Sequence, residues 1–558
     1  MQNLLTLSVV FGFVVSDHDH TAIEVVETVS DPGGVVFLQI PALSVSIAAS
    51  RSRYRWCGLT KSIINPDSDG CILRHEPLES RSAQPLQETS VAEKKVDVAI
   101  LGSGTAGLNA TSRVGPSGKS FLLINGGEPG TTCARVGCMP SKALIQVAED
   151  YHRRTHLNRY GVDGHTELTI DLPEAMEHVQ DLRDSFVDRV LSNSTDNMGD
   201  KFIEAYAKFV DPHTLELDNG DRVVAERIVI ATGSRPVVPT AWEAFGDKVL
   251  TTDTFFELED LPKSVAVVGL GVIGLELGQS LSRLEIDVYG FDMAQTIGGA
   301  TDPEVSQMAL ETMQREFPIY LGEPVEISEE GAQLRVTAGE HSVVVDKVLA
   351  SLGRTPNVEG LALENAGIEV DDRGIPVYNP NTMQCGDSHI FIAGDVNGER
   401  PILHEAGDEG KIAGHNAVQD EVTAFKRKVP LAINFCDPNI CLVGETYQAL
   451  DLDNTAIGEV KLAPVGRAQI MGQSRGIIRV YGEKASGRIL GAEMITTRGE
   501  NLAHLLNWAI SQQLTVGDLL RMPFYHPVIE EALQAALNNL YAQVEAKNQG
   551  PVKELYPL

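Results

Sequence analysis

The first long apolar run that is followed at once by glycines is VDVAIL, Val96–Leu101, and a helix-like stretch comes directly after it. A short run of this kind predicts a strand buried on both faces, as in a parallel sheet. Ser264–Val268, SVAVV, repeats the pattern with its own glycines and helix. Apolar strands alternating with helices predict α/β architecture with doubly wound parallel sheets. After about Val429 the pattern turns to polar-alternating strands (LAINFC, GIIRVYG, RILGAEMI) with helices between them, which predicts an antiparallel α+β unit at the C-terminal end. Residues 1–94 sustain neither period and carry irregular apolar patches with a Ser/Arg-rich stretch at Ser50–Arg55.

Both glycine stretches have the spacing of a dinucleotide-binding turn: Gly102, Gly104 and Gly107, then Gly269, Gly271 and Gly274. In such a turn the first glycine permits the bend and the second lets the backbone approach a pyrophosphate. The third lets helix and strand pack closely, and the pyrophosphate rests on the helix N-terminus. Two such turns call for two dinucleotides. The acceptor for an adenosine ribose is expected about 20 residues on, at the end of the next strand. That position is Asn125 in the first unit and Asp292 in the second. Asp292 can accept from both ribose hydroxyls. No Lys or Arg lies between Arg283 and Arg315 to meet a 2′-phosphate, so NAD is expected there rather than NADP. Asn125 can accept but carries no charge.

Length and composition narrow the class. At 558 residues the chain needs three or four cores. Its 43% hydrophobic and 22% charged residues are ordinary for a globular protein. The net charge of −32 repels phosphate backbones and anionic lipid, so neither nucleic acid nor membrane is an expected partner. No apolar run reaches the ~20 residues of a spanning helix, and no Lys or Arg precedes the signal-like Leu4–Val15. A cytoplasmic location is expected.

Seven cysteines are too few and too scattered for a secreted disulfide scaffold. Cys133 and Cys138 form a C-x4-C pair within GTTCARVGCMPSK. This is not zinc spacing, because a second pair is missing. Thiols near a helix N-terminus ionise near neutral pH, as thiol–disulfide exchange requires. Spacing alone leaves redox chemistry and a structural role both open. Cys436 and Cys441 repeat the spacing in a strand-like segment without glycines, and a structural role is expected for them.

The string GTTCARVGCMPSK resembles the active-site signature of the pyridine nucleotide-disulfide oxidoreductases, the family that includes dihydrolipoamide dehydrogenase. The resemblance runs in order through both glycine turns, ATGSRP (231–236), SLGRTPN (351–357), IFIAGD (390–395) and HPVIEE (526–531), and covers residues 94–545. It implies an FAD-binding domain at 95–238 and 355–428, an NAD-binding domain at 239–354 and an interface domain at 429–558. Within it, Cys133 would be the interchange thiol and Cys138 the thiolate against the flavin. Lys142 and Glu276 would pair beside the flavin ring. Thr232, Gly233, Gly394 and Asp395 would line the FAD site, with Asp395 on the ribityl chain, and Gly353 and Arg354 the NAD site. The helix after Arg400 would aim its N-terminus at the flavin. His526 and Glu531 would be a catalytic dyad acting across a homodimer.

The implied activity is that of a dihydrolipoyl dehydrogenase, with a lipoyl-bearing acyltransferase of a 2-oxoacid dehydrogenase complex as partner. The absent NADP-selecting arginines count against glutathione reductase. The absence of any cysteine after Cys441 counts against mercuric reductase and the larger thioredoxin reductases. A diaphorase or quinone reductase stays open, as does a non-catalytic dinucleotide-binding subunit. Three positions depart from the family: Asn125 replaces the usual acid, Val528 the common Thr, and Phe524 a frequent second His. Residues 1–94 match nothing in it. Met139 is the first methionine after Met1, and a start at Val91 would begin the product where family members begin. A disordered tail and a targeting segment are the alternatives, and Asp17, Asp19, Glu24, Glu27 and Asp31 count against a mitochondrial transit peptide.

Overall fold

The computed structural model describes residues 92–558 and, before them, the backbone of Thr28–Asp31 and Gly34–Phe37. Those two segments pair as an antiparallel hairpin, Thr28 opposite Phe37. The other expectations for residues 1–91, including the start at Val91, lie outside the described residues.

The first sheet is built on the strand Glu93–Leu101, flanked by parallel strands Phe121–Asn125 and Arg222–Ile230. Its start lies three residues before the apolar run. Glu93–Lys95 pair through their backbones with Arg222–Val224, which a hydrophobic pattern does not register. Phe202–Glu204 and Ile390–Ile392 extend the parallel part, and an antiparallel ribbon, Ala207–Asp211 and Thr214–Leu217, closes one edge. The helices Thr105–Val114 and Leu403–Asn416 cross with their backbones nearly touching. A Cβ on Gly410 would stand 2.1 Å from the Ala106 carbonyl oxygen, and one on Gly414 2.5 Å from that of Ala110. Small residues on both faces allow this approach and fix the late segment onto the early one.

The second sheet has five parallel strands, in the order Val249–Leu250, Lys347–Ala350, Ser264–Val268, Asp287–Asp292 and Ile319–Leu321. Every residue of Ser264–Val268 is buried. Its antiparallel appendage comprises Val325–Glu330, Gln333–Ala338 and His341–Val345. This unit is inserted into the first one. At its entry and exit, Ser234–Pro236 pairs antiparallel with Arg354–Pro356.

The C-terminal sheet is antiparallel throughout, in the order Leu431–Asn434, Asn439–Gly444, Ile489–Thr496, Ile477–Glu483 and Thr455–Lys461. One apolar core runs from Leu144 through Val265 and Leu275 to Ile440 and Ile495, so the redox helix, the second sheet and the C-terminal sheet share a single buried mass. Buried Glu493 adds a polar clasp by accepting the backbone N–H groups of Thr301, Asp302 and Tyr447 at 2.8–2.9 Å. Among the described residues no helix is long and apolar enough to cross a membrane.

Candidate active site

Cys133 lies in the short helix Thr132–Arg135, and Cys138 opens the helix Cys138–His152. They are joined as a disulfide with Cα atoms 4.7 Å apart. Glycine permits the tight path: Gly130 has φ +113° and Gly137 packs against the Thr132 carbonyl. One turn further, the Lys142 ammonium donates to Glu276 Oε2 at 2.8 Å. Glu276 is almost fully buried on the second unit's helix Val272–Arg283, and its other oxygen accepts the Phe435 backbone N–H at 2.9 Å. The Lys142 ammonium also lies 4.6 Å from the centre of the Phe435 ring. One carboxylate therefore ties all three parts of the fold together beside the disulfide. A buried carboxylate holding a cation and a backbone N–H has its charge compensated in place.

The two glycine turns superpose in chemistry. Gly102 and Gly269 have φ +104° and +96°. A Cβ on Gly107 or Gly274 would fall 1.8 or 1.9 Å from the carbonyl oxygen of Gly102 or Gly269, while Gly104 and Gly271 face open space. The helices that follow carry no side-chain cap, nor does Leu403–Asn416. By contrast, Asp171 and Asp302 cap Leu172–Ser192 and Pro303–Met313. Uncapped N–H groups above an open glycine suit a pyrophosphate. Asn125 Oδ1 accepts Ser103 N–H at 3.0 Å, and Asp292 Oδ2 accepts Leu270 N–H at 2.6 Å. Both strand-end side chains thus brace their own glycine turn.

Asp395 follows Gly394 (φ +83°) and accepts from the Ser234 hydroxyl at 2.8 Å. Arg354 opens the strand at the exit of the inserted unit. Its guanidinium donates to the Ser234 hydroxyl and carbonyl at 2.8 and 2.7 Å and stands 4.0 Å from Asp395. The strand pairing at the insertion's exit carries it to the Asp395 side. Thr232 and Gly233 meet the same junction through Asn357, at 2.7 Å from the Thr232 hydroxyl and 2.9 Å to the Gly233 carbonyl. Gly353 has φ +95° and open space at its Cβ position.

His526 Nδ1 lies 2.8 Å from Glu531 Oε1, and Glu531 Oε2 accepts Val528 N–H at 3.1 Å. The His526 hydrogen bond, with that of Val528, holds the Glu531 carboxyl below its ordinary range. The His526 side chain is 80% exposed, and among the described residues no hydrogen bond or ion pair links it to Cys133 or Cys138. Cys436 and Cys441 are buried free thiols, both pushed up by desolvation.

Sequence reasoning missed the bracket behind Asp395. Glu409, 1% exposed, accepts Gly394 N–H and the Asn397 amide, each at 2.7 Å. Arg427 donates to Glu409 and Glu405, both at 2.6 Å. Burial raises the Glu409 pKa despite these donors. Two glutamates four residues apart in a Gly/Ala-rich helix, with Lys-Arg-Lys downstream, were the available signal.

Residues 96–410 match the family described as pyridine nucleotide-disulphide oxidoreductase, and residues 430–537 match the dimerisation domain of that family. The chain belongs to this family of flavin-dependent enzymes. A dihydrolipoyl dehydrogenase from Thermus scotoductus is 29% identical over 81% of this chain and 98% of its own length. A soluble pyridine nucleotide transhydrogenase from Mycobacterium bovis is 27% identical over 82% and 99%. Among solved structures, the Cu(II) complex of the HOCl-induced flavoprotein disulfide reductase RclA from Escherichia coli aligns with TM-score 0.70 at 23% identity, covering 81% of this chain and all of that one. That likeness concerns the fold. Family membership makes the chain an FAD- and pyridine nucleotide-using disulfide oxidoreductase, and leaves open which disulfide and which nucleotide.

Proposed function

We propose that the protein is a dihydrolipoyl dehydrogenase: a cytoplasmic homodimer passing an electron pair from a dihydrolipoyl group to NAD⁺. The reading rests chiefly on the Cys133–Cys138 disulfide, which sits on the helix that carries Lys142 to Glu276. Bound FAD supplies two-electron chemistry between dithiol and nicotinamide. Residues 95–238 and 355–428 would hold it, with Gly102, Gly104 and Gly107 at the pyrophosphate, Asn125 at the ribose and Asp395 at the ribityl chain. Arg354 would serve this side by orienting Asp395 through Ser234. Residues 239–354 would hold NAD, with Asp292 rejecting a 2′-phosphate, and residues 429–558 would form the dimer.

In the dithiol half-reaction a substrate thiolate attacks the Cys133 sulfur and Cys138 leaves as a thiolate. The second substrate thiol loses its proton to His526 and attacks the mixed disulfide at the substrate sulfur, releasing the Cys133 thiolate and a closed substrate disulfide. Two electrons enter the pair; one substrate proton passes to His526 and the other is lost to solvent in forming the attacking thiolate. Glu531 holds Nδ1 of His526, which keeps Nε2 free to take that proton. Among the described residues no hydrogen bond or ion pair ties the exposed His526 to a thiol of its own chain, which supports delivery to the partner subunit's disulfide. A lipoyl-bearing acyltransferase would be the physiological donor.

The test is steady-state kinetics with dihydrolipoamide, glutathione disulfide and a quinone, each with both nucleotides. The proposal expects dihydrolipoamide with NAD⁺ to exceed every other pair by more than about tenfold in kcat/KM. Quinone reduction with inert dihydrolipoamide would instead identify a diaphorase. Cys133→Ser should abolish dithiol turnover while keeping a long-wavelength absorbance band between the Cys138 thiolate and flavin, and Cys138→Ser should lose the band.

A further inference from the structure

Although the chain has a net charge of −32, its described residues form a concentrated cationic hollow. It is a cleft of about 330 Å³ between the end of helix Thr105–Val114, the outer face of helix Leu403–Asn416 and the segment Phe425–Lys428. Its walls bring together Arg113, Lys411, Lys426 and Lys428 around an apolar floor of Ile412 and Phe425, whose ring meets His415 edge-on at 5.4 Å. Asp408 is the single acid of the lining, and Lys411 and Lys428 share it at 3.3 and 2.7 Å. Arg113 and Lys426 are exposed and have no ion-pair partner among the described residues. Four cations facing one carboxylate leave a local excess of positive charge, against the sign of the whole surface. Such an excess persists at a cost in self-repulsion unless an anion offsets it.

We propose that this cleft binds a small phosphorylated ligand and that its occupancy is felt at the Asp395 loop. Multiple charge is needed. A monocarboxylate offers Lys411 and Lys428 nothing they lack from Asp408, whereas a phosphate carrying two or more charges competes for them and engages Arg113 and Lys426 as well. Size sets the other bound. The cleft is at the lower end of the roughly 300–1,000 Å³ of small-molecule sites, room for a pyrophosphate or mononucleotide but not for a dinucleotide. The path inward is short. Arg427, between the two wall lysines, also holds Glu405 and Glu409, and Glu409 holds Gly394 and Asn397 on either side of Asp395. An anion drawing Lys426 and Lys428 inward shifts the backbone of Arg427 and, through Glu409, the loop assigned to the flavin. That second half rests on the FAD assignment, whereas the binding site itself does not.

The experiment is calorimetric titration of inorganic pyrophosphate into protein saturated with FAD and NAD⁺, with AMP in a parallel arm to reveal any contribution from the aromatic floor. One saturable site per chain is expected. The exposed pair Arg113→Gln/Lys426→Gln should weaken it by about tenfold or more with an unchanged melting temperature. Lys461→Gln, an exposed control on the C-terminal sheet, should leave binding unchanged. Pyrophosphate should also shift the flavin absorbance of the wild type and not that of the double variant. Absence of saturable binding, or equal affinity in the double variant, overturns the site. Saturable binding with an unmoved flavin spectrum overturns the coupling. A chain that takes up no FAD defeats the redox reading instead, and the calorimetry still reports on the cleft.

Discussion

The two glycine turns are the same device built twice, at Gly102–Gly107 and at Gly269–Gly274, with matching backbone angles and matching contacts at each glycine. They differ at the strand end that follows. Asp292 offers two equivalent oxygens, one given to Leu270 N–H and the other to Ala294 N–H at 2.8 Å. Asn125 has one oxygen, turned to Ser103, and its amide donates to the Gly127 carbonyl. The turn needs only an acceptor at this position and accepts either residue. The charge is therefore not required by the turn, and in the proposed function it is what would discriminate against a 2′-phosphate at the second site.

The strongest way to break this symmetry is at the crowded glycines. Gly107→Ala and Gly274→Ala drive a methyl into a carbonyl oxygen, so each should cost at least the upper part of the ~1–3 kcal/mol range of overpacking. Calorimetry should find both variants of lower melting temperature, Gly107→Ala losing FAD and Gly274→Ala losing NAD affinity with its flavin retained. Gly104→Ala and Gly271→Ala, with open space at the methyl, should melt like the wild type when both are stripped of dinucleotide, and lose only affinity for the corresponding dinucleotide. Unchanged FAD content in Gly104→Ala would mean that the pyrophosphate lies elsewhere.

Exchanging the strand ends is the next step down. Asp292→Asn keeps the acceptor for Leu270 and removes the charge, so NAD⁺ over NADP⁺ preference in kcat/KM should fall by about tenfold, the equivalent of 1.4 kcal/mol. Asn125→Asp should tighten FAD by a smaller factor, read as slower flavin release on dilution. A preference unaffected by Asp292→Asn would remove that residue from the ribose.

The smallest effects concern two buried glutamates, one in each unit. In the second unit the largely buried Glu316 is under opposing influences. Burial alone would raise its pKa, but the Arg283 hydrogen bonds and charge overcome it and hold the carboxyl below its ordinary 4.5. Its stabilisation is present above 4.5 and is lost as pH falls through the lower folded value. Glu409 is raised by burial, so its folded form takes up a proton before the unfolded chain does. That contribution is present below 4.5 and fades as pH rises through the folded value. Melting temperatures followed from about pH 6 to about pH 4 should therefore decline less in Glu316→Gln and more in Glu409→Gln, each by on the order of 1 kcal/mol or less. Parallel curves for both variants would contradict these directions.

The α/β class was legible because buried parallel strands have no polar alternation, and VDVAIL and SVAVV each run directly into a glycine turn. The antiparallel C-terminal sheet was legible from the opposite trait. One of its strands, Thr455–Lys461, was not, because it carries a glycine at its centre that packs on helix Glu530–Gln543. Lys142 and Glu276 are 134 residues apart, and only the family resemblance paired them. The Arg354 contact was not legible, because the residue closes the inserted unit in sequence while its side chain folds back to Ser234 in space. The Glu405–Arg427–Glu409 bracket was hidden for a related reason: a charge on a helix reads as a solvated face until a distant arginine is seen to cover it.

The ends of the second dinucleotide unit lie side by side, Pro236 opposite Arg354 and Ser234 opposite Pro356. In engineering terms this is a cassette with a closed neck. Another nucleotide-binding unit could be joined at this neck without changing the path of the chain on either side, provided that it refills the core shared with the redox helix and the C-terminal sheet. The limit of that modularity is Glu276. Any replacement cassette must present a carboxylate at the same height, or Lys142 and the Phe435 amide lose their common partner and the redox helix loses its anchor.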